Sequence, residues 1–509
     1  MRGPHNIWRL IRTGATFQRT GAMGMVLDAL DAPAPIRLGA RIIGWPFAFL
    51  GLRGDPELPP LTRALTALGP AYVKFGQILS TRPDVVGPEL AEQLTYLQDK
   101  LPPFPLEVAR QVIADELGRP VDDIYAEVSE PVAAASIAQV HKALLVETGE
   151  EVAVKVLRPG IEKAFRTDLD AFHFSARVIE TLLPRTRRLR PSDVVAHFES
   201  VVLGELDLRL ECASASEFRE TTKDDEGFVV PEVKWALSSR RVMTLGWAEG
   251  IAANELDQIR AAGLDMVDLS ERVLRLFLSH ALRDGLFHAD MHQGNLKFAL
   301  NGDILAVDFG IMGRLDEYTR RVYAEILYGF IRRDYRRVAE VHFEAGYVPA
   351  DQDIAEFARA LRAVGEPIFG MDATSISMGR LLAYLFEVTE RFGMQTRTEL
   401  ILLQRTMVVV EGVARSLNPN INIWQVARPV VEDYVRSNLG PRAMIADLTR
   451  AARVLARFGP RLPDLAEAAL IRQAHQLPEP ARANPARGIG LILLGAGLTL
   501  LAVWTGLLF

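Results

Sequence analysis

The sequence predicts an α+β fold with two lobes, in which a small sheet-containing lobe precedes a large helical lobe. Residues 139–146 and 152–157 are rich in strand-forming side chains, and a short connection containing Gly149 joins them in the manner of a hairpin. After about residue 270 apolar residues recur at helical spacing, interrupted by one strand-like run at 304–307. Strands early in the chain and helices late in it favour separate layers over an alternating α/β pattern.

At 509 residues with 49% hydrophobic content, the chain is long enough for two or three folding units with ordinary cores. Proline and glycine clusters mark the boundaries between them. We predict a helical or interfacial segment at 1–59, a helical extension at 60–125, a small sheet-containing lobe at 126–250, a helical lobe at 251–480 and a transmembrane helix at 488–509.

The first 27 residues carry four arginines and no acidic residue, yet they lack the apolar stretch of a secretory signal. A mitochondrial transit peptide is normally rich in serine, and the first serine here is Ser80. We therefore expect a bacterial protein. This segment is predicted to be either a solvated helix or an interfacial helix whose arginines contact anionic lipid.

A helix is predicted from Pro70 to just before Pro83, because proline suits the first helical turn and interrupts a helix interior. Lys74, Gln77 and Thr81 share one face of it. By pattern alone, that face is an ordinary solvated one.

The strand at 152–157 carries Lys155 after Val152-Ala153-Val154. In kinases a strand lysine reaches the α and β phosphates of the nucleotide and is positioned by a helix glutamate. Taken alone, Lys155 is better explained as a solvated lysine of an edge strand.

The segment 205–211 contains good helix formers, and on a helix Asp207 and Glu211 would share one face. Two carboxylates on one face favour a nearby lysine partner. Glu205 would point away from them towards another cation. Ordinary surface charge explains the segment equally well.

The residues from His288 to Asn295, followed by Asp308-Phe309-Gly310, reproduce the residue types and spacing of a kinase catalytic loop and its metal-binding aspartate. In such a site Asp290 would orient an attacking hydroxyl or water, and Asn295 and Asp308 would hold Mg²⁺ against the nucleotide phosphates. With this loop downstream, Lys155 becomes a nucleotide-binding candidate. His292 is expected to be structural, because phosphoryl transfer needs carboxylates and amides more than a second imidazole.

The amphipathic helices at 321–333 and 356–364 belong to a helical region, 316–480, in which no motif predicts a site. Residues 489–509 contain no charged residue. A stretch of 21 such residues is long enough and apolar enough to cross a bilayer. Arginines precede it and nothing charged follows, which places the preceding chain on the cytoplasmic side. The alternative is a buried hairpin helix.

Composition excludes several classes of function. A net charge of −6 provides no global attraction for nucleic acid. The single cysteine, Cys212, excludes an internal disulfide and a thiolate metal cluster, and we expect it to be buried. The chain also lacks a flavin fingerprint and a paired Glu-x-x-His iron arrangement, so a membrane hydroxylase is a weak interpretation.

Taken together, the motifs resemble those of the UbiB/AarF atypical kinase-like family in order over roughly residues 60–315. Besides the catalytic segment, the motifs that carry this resemblance are Lys74-Phe75-Gly76-Gln77, Ser80-Thr81-Arg82-Pro83-Asp84, Leu97-Gln98-Asp99, Pro102-Pro103-Phe104 and 133–141.

The resemblance implies an atypical kinase-like fold in which Lys74, Gly76 and Gln77 form the family's KxGQ signature over the cleft. Lys74 would contact Glu205 and Asp207, and Glu211 would position Lys155. An alanine-rich loop would replace the glycine-rich nucleotide loop, and its residues here are Ala133, Ala134, Ala135, Ser136, Ile137 and Ala138.

The family usually has prolines where this chain has Met291 and Gln293. The loss of these prolines should loosen the catalytic loop, but it removes no catalytic base or metal ligand. Alanine in place of glycine restricts backbone approach to phosphates, so nucleotide handling should differ from that of an ordinary kinase.

The function implied is a membrane-anchored, Mg²⁺-dependent enzyme that binds ATP or ADP and supports ubiquinone biosynthesis at the cytoplasmic face of a bacterial inner membrane. Implied partners are lipid or polyprenylated quinone precursors and ubiquinone-biosynthesis proteins, and glycines in the apolar tail hint at a homodimer. The alternative is a nucleotide-switched scaffold or lipid-binding chaperone without phosphotransfer. An ordinary protein kinase is less favoured, because no glycine-rich loop is visible.

Overall fold

The computed structural model describes residues 4–29, 45–80, 103–182, 190–370, 391–394 and 398–439, with isolated positions at 34, 35, 37, 38, 90, 93, 94, 97, 388 and 449. Two compact units divide the chain, Met1–Tyr434 and Val435–Phe509, and the fold described below is that of the first. The transmembrane helix predicted at 488–509 lies outside the described residues. Among the described helices, none combines the length and apolar character needed to span a bilayer.

The described chain mixes helices and strands, as predicted. The helices are α1 (Pro4–Thr20), α2 (Ala22–Ala29), α3 (Pro60–Leu68), α4 (Pro70–Ser80), α5 (Leu106–Leu117), α6 (Ile161–Leu182), α7 (Pro191–Glu205), α8 (Leu208–Thr221), α9 (Leu256–Ala261), α10 (Met266–Ser279), α11 (Glu317–Arg332), α12 (Tyr335–Glu344), α13 (Ile354–Gly370), α14 (Thr398–Leu417) and α15 (Ile423–Asn438). The strands are β1 (Tyr125–Ala134), β2 (Ala138–Leu145), β3 (Glu151–Leu157), β4 (Phe228–Val229), β5 (Val242–Gly246), β6 (Ile251–Ala252), β7 (Leu286–His288), β8 (Leu296–Phe298), β9 (Ile304–Ala306) and β10 (Met312–Arg314).

The small lobe is built on an antiparallel sheet of order β1-β2-β3-β5. Alternate residues of β3 are buried, as expected for a strand with one face on a core. Val152, Val154 and Val156 form that core with residues of α5, and the buried Tyr125 hydroxyl lies 2.9 Å from Thr244 Oγ1. This sheet fixes the position of Lys155, whose neighbours along β3 are locked into the core.

Helix α4 packs against α6 and α7 through aromatic side chains. Tyr72 meets Phe172 edge-on at 4.7 Å between ring centroids, and Phe75 lies 5.0 Å from Phe172 and 4.9 Å from Phe198. The Tyr72 hydroxyl is 2.8 Å from Thr13 Oγ1, which ties α1 to the same cluster. Edge-to-face contacts between rings favour one packing geometry in addition to burying apolar surface, so they fix the position of α4.

A second sheet, of order β4-β9-β8-β6, and the pair β7-β10 lie downstream. The prediction of a single strand-like run after residue 270 was therefore incomplete, because β7, β8 and β10 are too short to show a period-2 pattern. In addition, β4 lies before residue 250 but pairs with β9. The predicted boundary at 250 therefore does not separate the two sheets.

The helical lobe is centred on α10, whose buried face includes Val273, Leu274 and Phe277. Helix α14 packs against α10 and contributes Leu403 and Val410 to the same hydrophobic core. The core thus extends from the middle of the chain to its late helices, and it supports the loops at 288–295 and 308–310 between them.

Candidate active site

Lys155 and Glu211 form the central ion pair of the site. Lys155 projects from β3, and its Nζ donates to both Glu211 carboxylate oxygens, at 2.7 and 2.9 Å. Glu211 lies on the first turn of α8. Only 16% of the lysine side chain and 10% of the glutamate side chain are accessible. The pair that the family resemblance implied is thus present and nearly buried.

Asp308 joins this pair from the other lobe. Its Oδ1 accepts a hydrogen bond from Lys155 Nζ at 3.3 Å, and 48% of its side chain is accessible. The backbone of Asp308 has φ of 63°, a left-handed conformation that aspartate tolerates better than most residues. Phe309 anchors the turn because it is fully buried and packs near Phe218 of α8 and His288.

The three charged groups control one another's protonation. Burial alone would lower the pKa of Lys155, but Asp308 and Glu211 outweigh it and raise that pKa above its ordinary value. The Lys155 ammonium holds the pKa of Asp308 at about 2. Burial raises the pKa of Glu211, while Lys155 opposes the increase. At neutral pH the site therefore presents an ionised, accessible Asp308 carboxylate.

The neighbouring Cys212 is fully buried, as predicted. Burial raises the pKa of its thiol to about 11. A thiolate is therefore not available at neutral pH, which argues against a reactive cysteine at this site.

The catalytic loop is held by its histidines and Asn295. The Nδ1 of His288 accepts from the Asp290 backbone N–H at 3.1 Å and its Nε2 donates to the Val307 carbonyl at 3.3 Å, which fixes a neutral imidazole. Burial lowers the pKa of His288 in agreement with that state. Asn295 Nδ2 donates to the Asp290 carbonyl at 3.0 Å. The Asp290 side chain remains 37% accessible.

His292 caps a turn of the loop that carries Asp290. Its Nδ1 accepts from the Gly294 backbone N–H at 2.9 Å and so caps the 3₁₀ turn Gln293–Asn295. Its Nε2 lies 3.7 Å from Asp290 Oδ2. The ring thus shapes the loop that presents Asp290.

The donor set suits Mg²⁺. The amide nitrogen of Asn295 donates to Asp290, and its Oδ1 accepts no hydrogen bond from any residue of the described part. Asp308 supplies an ionised, half-accessible carboxylate. Carboxylate and amide oxygens are hard ligands of the kind Mg²⁺ prefers. Asn295 and Asp308 therefore fit the metal role predicted for them.

The alanine-rich segment forms the tight turn between β1 and β2. The Ala135 N–H donates to the Ala138 carbonyl at 2.8 Å. Arg158 binds the outward Ala135 carbonyl through Nε and Nη2, at 3.1 and 3.0 Å. Ser136 and Ala138 are buried. The turn lies in the sheet that carries Lys155, and Arg158 holds it in one conformation.

Gln139 of β2 contacts the backbone of Phe104, and sequence patterns did not predict this contact. Gln139 donates to the Phe104 carbonyl at 3.1 Å and accepts from the Phe104 N–H at 3.0 Å. Its Nε2 also lies 2.9 Å from His141 Nε2, and His141 Nδ1 donates to the Ser129 carbonyl at 2.8 Å. Phe104 is thereby tied to Gln139 of β2, directly after the alanine-rich turn. A buried glutamine that forms two backbone hydrogen bonds cannot be recognised from spacing.

The acidic segment differs from its prediction. The prediction of a single helix over 205–211 was wrong, because α7 ends at Glu205 and α8 begins at Leu208. Lys74 Nζ pairs with Glu205 at 2.9 Å, as expected. Asp207 instead caps α8 and binds Arg209 through Nη2 at 2.6 Å, which lowers its pKa. Asp207 therefore acts as a helix cap rather than as a second partner of Lys74.

Gly76 and Gln77 hold α4 against its neighbours. Gln77 Nε2 donates to the Leu97 carbonyl at 3.5 Å. A Cβ on Gly76 would overlap Leu97 Cδ1 and lie 2.8 Å from Leu65 Cδ1 and 3.3 Å from Leu94 Cδ2. The absence of a side chain at Gly76 is thus a packing requirement, with no ligand needed to explain it.

We expect Gly76→Ala to lower the free energy of unfolding by about 1–3 kcal/mol, because the added methyl group overpacks a closed contact. Urea unfolding followed by circular dichroism measures the change. Gly204→Ala is the control, because nothing lies within 4 Å of a Cβ on this helical glycine of α7. The control should be neutral or stabilising. Equal behaviour of the two variants would contradict the packing explanation.

Helix α14 touches the catalytic loop at two points, although no motif predicted a site there. Thr406 Oγ1 donates to the Ala289 carbonyl at 2.9 Å, and Gln293 Nε2 donates to Ser416 Oγ at 2.8 Å. Gln293 is one of the two positions where the resembling family usually has proline. A hydrogen bond to α14 here restrains the loop that proline would otherwise stiffen.

Residues 96–342 match the family described as ABC1 atypical kinase-like domain, and residues 361–422 match the UbiB helical domain. The chain is 38% identical over 472 residues to a protein of Marinobacter nauticus named probable protein kinase UbiB, covering 91% of this chain and 85% of that protein. A protein of Aeromonas salmonicida with the same name is 38% identical over 520 residues, covering 99% and 94%.

A solved structure shares the fold over much of the chain. It is described as the complex structure of Rv3197-erythromycin from Mycobacterium tuberculosis, with a TM-score of 0.50 and 26% sequence identity. The similarity covers 70% of this chain and 90% of that one.

Proposed function

This chain belongs to the UbiB family of ABC1 atypical kinase-like proteins, and on that basis we propose that it is a Mg²⁺-dependent, ATP-binding kinase or ATPase. The observation that carries the proposal is the convergence of Lys155, Glu211 and Asp308. A lysine, a helix glutamate and a metal-binding aspartate are the parts that a kinase-like site needs in place at once.

Each residue has a distinct role in this proposal. Lys155 binds the α and β phosphates, and Glu211 holds its ammonium in position. Asn295 and Asp308 hold Mg²⁺, which when bound neutralises charge on the β and γ phosphates. Asp290 accepts the proton of the attacking hydroxyl or water, and its accessible carboxylate at the end of a rigid loop supports that role.

The nucleotide should lie beneath the alanine-rich turn at 133–138. Its backbone lacks the freedom of a glycine-rich loop, and Arg158 restrains it further through the Ala135 carbonyl. A loop that does not close tightly on phosphates suits slow turnover, and it supports ATP or ADP as a bound ligand with modest hydrolysis.

The biological setting we propose is ubiquinone biosynthesis at the cytoplasmic face of a bacterial inner membrane. The name UbiB of the relatives and the uncharged sequence at 489–509 support this setting. Quinone precursors and ubiquinone-biosynthesis proteins are the corresponding partners. Quinone profiling of a strain lacking this gene tests the setting: an accumulated early prenylated phenol supports it, and unchanged quinones refute it.

A nucleotide-switched scaffold or lipid-binding chaperone is the second candidate. The observation that favours it is the ion pair between Lys74 of α4 and Glu205 at the end of α7. The next helix, α8, carries Glu211. That arrangement would allow nucleotide binding at Lys155 to bias α4 without any phosphoryl transfer.

Asp290→Asn separates the two candidates. We expect the variant to bind ATP with affinity within about twofold of wild type but to hydrolyse it about 100-fold more slowly, since general-base catalysis typically contributes that much or more. An enzyme then fails to restore quinones in the deletion strain. Asp257→Asn, at a carboxylate that is 99% accessible, is the control and should restore them. Full restoration by Asp290→Asn would favour the scaffold.

A further inference from the structure

Arg405 of α14 is a cation to which the proposed function gives no role. Its side chain is exposed, and it forms no hydrogen bond or ion pair with any residue of the described chain. Arg158, in contrast, binds the Ala135 carbonyl. An unpaired guanidinium beside a reaction centre needs an explanation.

The position of Arg405 is fixed by its neighbour in the sequence. Thr406 Oγ1 donates to the Ala289 carbonyl at 2.9 Å, and Ala289 immediately precedes Asp290. Thr406 is buried, so α14 cannot shift relative to the loop without breaking that contact. Arg405 is therefore attached, through one buried hydrogen bond, to the segment that carries the proposed base.

The electrostatics agree with this placement. Burial lowers the pKa of Arg405, whereas Asp290 is the charged group that raises it. Arg405 and Asp290 therefore lie close enough to attract each other, without reaching salt-bridge distance.

The same face of α14 leaves room for a ligand. Arg405, Val409, Gly412 and Ser416 follow one another at helical spacing and so share this face. Nothing lies within 4 Å of a Cβ on Gly412. Ser416 at the far end is bonded to Gln293, the loop residue beyond Asp290. An open strip thus runs beside the catalytic loop, with a cation at one end.

We propose that Arg405 binds a phosphate-type oxyanion beside Asp290. The inference rests on the proposed function and adds to it a binding residue for the transferred phosphoryl group or the acceptor. An oxyanion next to the Asp290 carboxylate would be repelled unless a cation offsets the charge, and guanidinium groups match phosphate oxygens with paired donors. The anion is either the phosphoryl group leaving ATP or an anionic group on the acceptor, since both present the same oxygens.

The test uses the full-length protein with inorganic phosphate as the probe. Its inhibition of Mg·ATP hydrolysis and its binding to the Mg·ADP complex by calorimetry are compared for wild type, Arg405→Gln and Arg405→Lys. We expect Arg405→Gln to weaken phosphate binding about 10-fold or more, as for a lost charge-assisted hydrogen bond, and Arg405→Lys to recover part of it. Arg359→Ala, at an exposed arginine on α13, is the control and should match wild type.

The turnover of Arg405→Gln separates the two sources of the anion. A matching loss of kcat assigns Arg405 to the transferred phosphoryl group, and an unchanged kcat with weaker phosphate binding assigns it to the acceptor side. Phosphate binding equal to wild type in Arg405→Gln overturns the proposal. Absence of hydrolysis in wild type would refute the proposed function instead, and the calorimetric comparison would still decide the role of Arg405.

Discussion

Asp308→Asn is expected to reduce Mg²⁺-dependent ATP hydrolysis by at least about 100-fold, the usual cost of removing a group that stabilises charge in the transition state. The substitution removes the ionised carboxylate that we propose binds Mg²⁺, whose pKa is about 2. Asparagine is also among the residues that tolerate the left-handed backbone of Asp308. The Lys155–Glu211 pair keeps its own contacts. Stability should therefore change by less than about 1 kcal/mol, as for an exposed polar substitution.

Steady-state hydrolysis with and without Mg²⁺, together with urea unfolding, measures both effects. Asp257→Asn removes one carboxylate from the surface and should behave as wild type. Hydrolysis by Asp308→Asn at the wild-type rate would refute the metal role of Asp308. A large loss of stability would instead show that Asp308 serves the fold.

Lys155→Met is expected to have the largest effect on stability. It leaves the Glu211 carboxylate, which is 10% accessible, without its cation, and breaking a buried ion pair from one side typically costs about 3–5 kcal/mol. Removing both charges should cost less. The double variant Lys155→Met with Glu211→Leu is therefore expected to be more stable than Lys155→Met alone.

The loss should depend on pH. Without Lys155, burial and Asp308 both keep the pKa of Glu211 above its unfolded value, so the folded variant binds the proton more tightly than the unfolded chain does. Stability is then retained at low pH and lost as pH rises through the folded pKa. Lys155→Met should accordingly be closer to wild type at pH 5 than at pH 8.

Urea unfolding at the two pH values measures this difference. Lys223→Met is the matched control, because Lys223 pairs with Glu220 on the surface and its side chain is 56% accessible. Surface pairs contribute about 0–1 kcal/mol, so this control should change little at either pH. Similar losses in both variants, or a Lys155→Met loss that grows at pH 5, would contradict a buried pair.

The sequence was sufficient for those parts of the site that depend on spacing. The distance along the chain from Asp290 to Asn295 and Asp308 fixes a loop and a turn, and Lys155 follows from a strand pattern before it. Gly76 could be named from the family resemblance, although only packing against Leu65 and Leu94 explains it. These features are local, or they are repeated throughout a family.

The rest depends on contacts between distant segments. Helix propensity over 205–211 was uniform, so nothing indicated that Asp207 would cap a new helix instead of continuing the old one. Thr406 and Ser416 are small polar residues within α14, and such residues usually bond to their own backbone. Their contacts with Ala289 and Gln293 become visible only in three dimensions.

Those two contacts also bear on how the protein can be divided. The match to the kinase-like family ends at residue 342, which suggests a convenient fragment. Such a fragment would leave the Ala289 carbonyl and the Gln293 amide without their partners and would uncover the core face that Leu403 and Val410 protect. The candidate site and α14 thus share contacts and a hydrophobic core, and a truncation that keeps every motif still removes part of the structure that holds the loop.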